Sequence, residues 1–345
     1  MSYDGYKFEV NLANPANYFI EGLSGTADVS EESLLRYAEY IRSVMAVRED
    51  KSCFITIYGG DPLKHLDKLT AFLASVADLI DDVRISTPAL DIHNQQAALM
   101  ELWRKLGQKL HIEVQYPFDD VDEFVDAGAY GTFWYNLYWL LARRLGSEVN
   151  IRVSARTISR LPGVFMALVA LVERTQVPSP DVKVAVSLNA DEYQMFDAAV
   201  AEAAVAEFKS YVDMKRNVVP HVSFKDPMTW TTSSRPDTLM GNCMAVLCAE
   251  GTLFPGYEVP AMTNFGLSVF PMGRISDDFA VLAERYALLV SELPESLPEM
   301  SECDALFRSV PWVDEDKNDA DEYNAPAVAE ACELRDILRE VFSEA

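Results

Sequence analysis

The sequence predicts an α/β fold: an open, partial barrel of six βα units, (β/α)6, with a smaller α+β piece behind it. Three observations carry this reading. Short apolar, β-rich runs alternate with helical patterns six times between Tyr6 and Met214. Strands that alternate with helices imply parallel pairing through right-handed crossovers. After about Arg216 the alternation stops, and turn-rich, hairpin-like and acidic stretches replace it. Six units fall short of a closed eight-unit barrel of ~250 residues. A flavodoxin-like open sheet also satisfies the alternation. The expected division is a barrel over residues 1–215 and an extension over residues 216–345.

The strands follow in order. Tyr6–Val10 alternates apolar and polar residues. Cys53–Tyr58, Val83–Thr87, His111–Tyr116, Val149–Val153 and Val182–Val186 are the next five. The helices are equally legible. Ser30-Glu31-Glu32 offers a capping hydroxyl and first-turn acids, and Leu34, Leu35, Ala38, Ile41 and Met45 follow at helical spacing. Further helices are expected over Leu66–Val76, Gln95–Leu106, Gly131–Leu145, Pro162–Arg174 and Asp191–Met214. In the extension, Met244–Phe254 predicts a hairpin around Ala249-Glu250-Gly251. Helices are expected over Phe279–Leu293 and Val328–Phe342, and the acidic run Asp314–Glu322 reads as a solvated loop.

Composition narrows the function. The 345 residues hold 29 basic and 54 acidic side chains, a net charge of −25. So acidic a surface repels phosphate backbones, which argues against nucleic acid, while a cationic peptide segment is electrostatically compatible. Acidity also serves solubility alone. No stretch has the ~20 apolar residues of a membrane span, and Met1–Gly5 lacks the basic and apolar regions of a signal peptide. Five cysteines without a C-x-x-C make no disulfide framework, so a reducing cytoplasm is the expected compartment.

Function in such a barrel sits in the loops after the strand C-termini. Those loops are Asn11–Asn17, Gly59–Leu63, Ser86–Pro88, Gln115–Asp120, Ser154–Arg156 and Ser187–Asn189. Gly59-Gly60-Asp61 suits close backbone approach, with a carboxylate for an ammonium; the alternative is a tight turn with Asp61 at a helix start. Asp119 and Asp120 are candidates for acid–base chemistry, or else a solvated loop, and Arg156 is a further candidate for chemistry at the barrel mouth. Cys243, Cys248, Cys303 and Cys332 could hold a metal cluster, although core packing accounts for buried cysteines equally well. The four histidines show no zinc spacing. The helix containing Phe133, Trp134, Tyr135, Tyr138 and Trp139 has more aromatics than one face buries, which fits either a packed core or a partner surface.

Several short motifs, in order along the chain, carry a resemblance. Val10-Asn11-Leu12-Ala13-Asn14-Pro15-Ala16-Asn17-Tyr18 looks like C-N-L-x-C-x-x-C-Y with each cysteine replaced. Ile55–Leu63 looks like a strand ending in G-G-E-P, and Gly128–Phe133 like a G-S-F helix start. Ala249–Gly256 looks like D-G-x-V-Y-P-C, and Glu302–Pro311 like a late multi-cysteine region that keeps Cys303 alone. The chain thereby resembles the radical S-adenosylmethionine (SAM) enzymes that bear a SPASM-type C-terminal extension. The resemblance implies the partial barrel, a peptide substrate or protein partner, and a SAM amine held at Gly59, Gly60 and Asp61. It also places the three ligands of the [4Fe–4S] cluster at Val10, Asn14 and Asn17. There the sequence departs from the family. Such clusters are held by thiolates, which valine and asparagine do not supply. The expectation is therefore a cluster-free pseudoenzyme that binds a peptide or a catalytic radical SAM partner in peptide maturation. SAM binding stays open, as does an enzyme with non-radical chemistry at the barrel mouth. A purely structural subunit would instead show a large apolar patch around Trp134–Trp139.

Overall fold

The computed structural model describes residues 5–12, 29–47, 51–59, 61–118, 127–186, 196–224, 243–248, 251–254, 271–292, 330 and 332–341. Its strands form a single 10-stranded sheet. The first seven run parallel in chain order: β1 (Gly5–Asn11), β2 (Ser52–Tyr58), β3 (Asp82–Thr87), β4 (Leu110–Gln115), β5 (Gly146–Val153), β6 (Asp181–Val186) and β7 (Val222–Phe224). Between them run α1 (Glu31–Val47), α2 (Leu66–Val76), α3 (Ile92–Leu106), α4 (Ala127–Ala142), α5 (Leu161–Thr175) and α6 (Ala198–Lys215). This is the open, partial (β/α) barrel that the alternation predicts.

The two-residue period of the strands explains the layering. Ile55 and Ile57, Val83 and Ile85, Ile112 and Val114, Ile151 and Val153, and Val182 and Val184 point outward and are buried beneath the helices. Each helix returns an apolar stripe, such as Leu69, Phe72, Leu73 and Val76 of α2. Phe165 of α5 meets Phe208 of α6 edge to face at 5.2 Å. The alternate residues, pointing inward, are polar: Lys7 and Glu9, Arg84 and Ser86, Glu113 and Gln115, Glu148 and Asn150. They pair with one another along and across the strands. Lys7 bonds Glu9, Lys183 bonds Glu148, and His111 and Arg84 hold Asp82 at 3.0 and 3.2 Å. A closed barrel fills this space with branched apolar side chains; here the interior is polar.

The hairpin expected around residues 249–251 is present as β8 (Cys243–Leu247) antiparallel to β9 (Thr252–Phe254). It extends the barrel sheet, because β8 lies parallel to β1 on the side away from β2. The Tyr37 hydroxyl of α1 donates to the carbonyl of Ala245 at 2.7 Å, tying the first helix to this added strand. β10 (Gly273–Arg274) pairs with β9, and α7 (Phe279–Glu292) follows.

Three differences from expectation have local causes. β7 is a seventh parallel strand that three residues cannot announce by periodicity. α6 begins at Ala198 rather than near Asp191, because Asp197 is extended and its carboxylate caps the amides of Ala199 and Val200. α4 ends at Ala142 rather than Leu145, because Arg144 turns left-handed (φ 58°). The amides of Leu145 and Arg144 then bond back to the carbonyls of Leu140 and Leu141, a Schellman ending.

Candidate binding site at the strand ends

A cavity of about 600 Å³ opens at the C-terminal ends of β2, β3, β4 and β5. Gly59 closes β2 with φ 95°, a left-handed turn that glycine adopts without strain. Asp61 follows in extended conformation and caps a short 3-10 turn, Pro62–His65. Its Oδ1 accepts from the Leu63 amide at 3.2 Å and from the Thr87 hydroxyl at 2.7 Å. Its Oδ2 is buried and has no hydrogen-bond partner. Burial pushes the Asp61 carboxyl above its usual range, partly offset by the bonds from Thr87 and Leu63. The geometry thus contains the tight turn expected of Asp61 and, in the same side chain, an acceptor left open.

The far wall comes from β4 and β5. The Gln115 amide donates to Ser86 Oγ at 3.0 Å and to Glu113 Oε1 at 2.8 Å, and Asn150 also donates to Glu113. Gln115 Oε1, like Asp61 Oδ2, is buried without a partner. The reversed amide would press that oxygen against the Glu113 carboxylate, so the hydrogen bonds support this orientation. Tyr58 lines the near wall and donates to Glu9 at 3.2 Å; Glu9 itself is fully buried.

Two residues of the site escaped the sequence reading. Asn136 is buried in α4, and its amide donates to the carbonyls of Ala89 and Leu90 at 2.8 and 3.0 Å. It pins the loop after β3, where Ala89 is left-handed (φ 60°) and its amide bonds Thr87 Oγ1. Only a buried asparagine among aromatics hinted at this. Among the described residues Arg152 lines the cavity and Arg156 does not: both are exposed, but Arg152 lies on the inward register of β5 and Arg156 on the turn beyond.

The remaining candidates separate. Val10 is fully buried within β1, paired with Ile57 and Leu247, and belongs to the apolar core. Asn14, Asn17, Gly60, Asp119, Asp120 and Cys303 lie outside the described residues. Cys243 pairs with Lys7 through the backbone of β8. Cys248 stands one residue past β8, and its amide donates to the Thr252 carbonyl in the hairpin. Burial, with the Glu9 charge second, pushes its thiol up to about 12. Cys332 is buried in the helix of residues 332–341. Among the described residues, no three His, Cys, Asp or Glu side chains are grouped to hold a metal ion. On α4, Trp139 packs inward with the Arg143 guanidinium over its ring, while Tyr135 and Tyr138 are 53% and 37% exposed.

No protein-family model matches the chain, and neither does any curated protein. Solved structures of radical SAM enzymes do share its fold. His-tagged anSMEcpe with bound AdoMet aligns over 99% of this chain and 96% of its own, with a TM-score of 0.56 and 12% identity. Native anSMEcpe with AdoMet and the Kp18Cys peptide aligns over 98% and 99%, at the same TM-score and identity.

Proposed function

We propose that this protein is a radical SAM-type barrel that has given up the cluster and kept the mouth. It binds a peptide, or a catalytic partner that modifies peptides, through the strand-end cavity and the surfaces around it. In this reading residues 1–215 form the barrel and residues 216–345 a SPASM-like extension, in a cytoplasmic protein. The observation that carries it is the donor set at the cluster positions. Val10 is apolar and locked in the core, and Asn14 and Asn17 offer neutral amides. Thiolates are required. The nearest cysteine in sequence, Cys53, is buried in β2 with its thiol pushed up to about 12 by burial. A [4Fe–4S] cluster does not fit these residues. The peptide follows by analogy with the peptide-bound neighbour and from the exposed Tyr135 and Tyr138.

A second reading is supported by the cavity itself. Convergent polar groups beside a carboxyl raised by burial suit proton transfer, so non-radical chemistry on a small ligand, SAM included, fits the same mouth. Anaerobic reconstitution with iron and sulfide, followed by metal analysis, an assay for SAM cleavage and SAM calorimetry, separates the readings. The expected outcome is colourless protein that leaves SAM intact. Stoichiometric iron with SAM cleavage overturns the proposal. Iron-free protein that binds SAM favours the second reading.

A further inference from the structure

Among the described residues, the mouth holds buried acceptors that its own cations, Lys64 and Arg152, do not meet. Asp61 Oδ2 and Gln115 Oε1 are buried acceptors without partners, on residues that line one cavity and flank Ser86 and Thr87. Glu113, just beneath Gln115, receives hydrogen bonds from two amides and, among the described residues, no cation is paired with it. Lys64, at the rim, bonds Asp91 at 3.3 Å. Arg152 stands on β5, three strands from β2, or about 14 Å at the usual strand spacing. One carboxylate oxygen and one amide oxygen of the lining therefore await a donor, with the Glu113 carboxylate behind them.

From this, and resting on the reading that the mouth binds a peptide, we infer that the cavity takes the side-chain cation of a lysine or arginine in that peptide. The open acceptors lie deep in the cavity wall, so a donor carried on a slender stem reaches them best. The lining supplies apolar surface for such a stem at Pro88 and Leu90 and along the Tyr58 ring. An α-ammonium, crowded by the substituents on its own carbon, fits that passage less well. The net charge of −25 steers cationic segments toward the protein from a distance. Arg152 is left to meet a backbone carbonyl of the same peptide.

Calorimetry on the whole protein tests this with acetylated, amidated tripeptides: Ala-Lys-Ala, Ala-Arg-Ala and Ala-norleucine-Ala. S-adenosylmethionine serves as the source of an α-ammonium. The basic tripeptides should bind at least ~10-fold more tightly than the norleucine peptide, the scale of one charge-assisted hydrogen bond. Asp61→Asn, which keeps the acceptor for Leu63 and Thr87, should abolish that difference; Glu113→Gln should reduce it. Equal binding of lysine and norleucine peptides overturns the inference and leaves a peptide-binding mouth standing. Tighter binding of S-adenosylmethionine, competitive with the lysine peptide, assigns the acceptors to an α-ammonium and also overturns it. Binding of none of the probes overturns it as well, while the cluster-free reading is decided separately by iron and sulfide.

Discussion

The ends of β1 and β2 are neighbours in the sheet, yet they meet opposite fates. On β1 the place that the resemblance assigns to a first cluster ligand holds Val10, which packs in the core between Ile57 and Leu247. On β2 the chain still turns through a left-handed Gly59 and presents Asp61 with one oxygen unsatisfied. The first position is resolved by packing, which stabilises the fold. The second keeps a buried acceptor open, at a cost of about 1–3 kcal/mol. An acceptor that stays unsatisfied points to a molecule that completes it.

The sharpest way to break this contrast is Val10→Asp. If Val10 is purely core, the variant buries an unpaired charge and should lose ~4 kcal/mol or more, seen as a large fall in the denaturation midpoint. A well-folded variant would mean that the end of β1 opens to solvent and is still a site. Next in size is Asn136→Ala, which leaves the Ala89 and Leu90 carbonyls without their donor. It should cost about 1–3 kcal/mol and weaken tripeptide binding, since it frees the loop after β3. Unchanged binding would separate the loop from the site. The smallest effect is Asp61→Asn, and it has the opposite sign. Its carboxyl is raised in the folded state, so the folded protein holds the proton more tightly than the unfolded chain. That contribution to stability is present at low pH and is lost as pH rises through the raised value. The variant should therefore match the parent near pH 3 and melt ~1–2 °C higher near pH 7. A variant that melts lower at pH 7 would reveal a cationic partner for Asp61 within the protein.

What the sequence disclosed follows from which signals are local. Period-two alternation placed β1 to β6 to within a residue or a few, and the strand-end rule selected loops that supply Gly59, Asp61, Ser86 and Gln115 to the cavity. The capping role of Asp61 was legible because a cap is a local pattern. Its open oxygen was not, since that depends on what β3 brings to it. Arg144 hid the end of α4 because left-handed helix endings announce themselves through glycine, and this one uses arginine. Arg152 was passed over for Arg156 because a residue inside a strand looks structural until its register shows that it faces the cavity. Asn136 acts on a loop 46 and 47 residues away, beyond the reach of any pattern.

The hydrogen bond from Tyr37 to Ala245 spans 208 residues. During synthesis, one flank of β1 stays bare until β8 emerges, long after the six βα units could have begun to pair. An unpaired strand edge invites association with other chains. The hairpin that completes the sheet is thus also its late-arriving cover. A truncation that removes it should expose the oldest part of the nascent chain rather than simply shorten the newest.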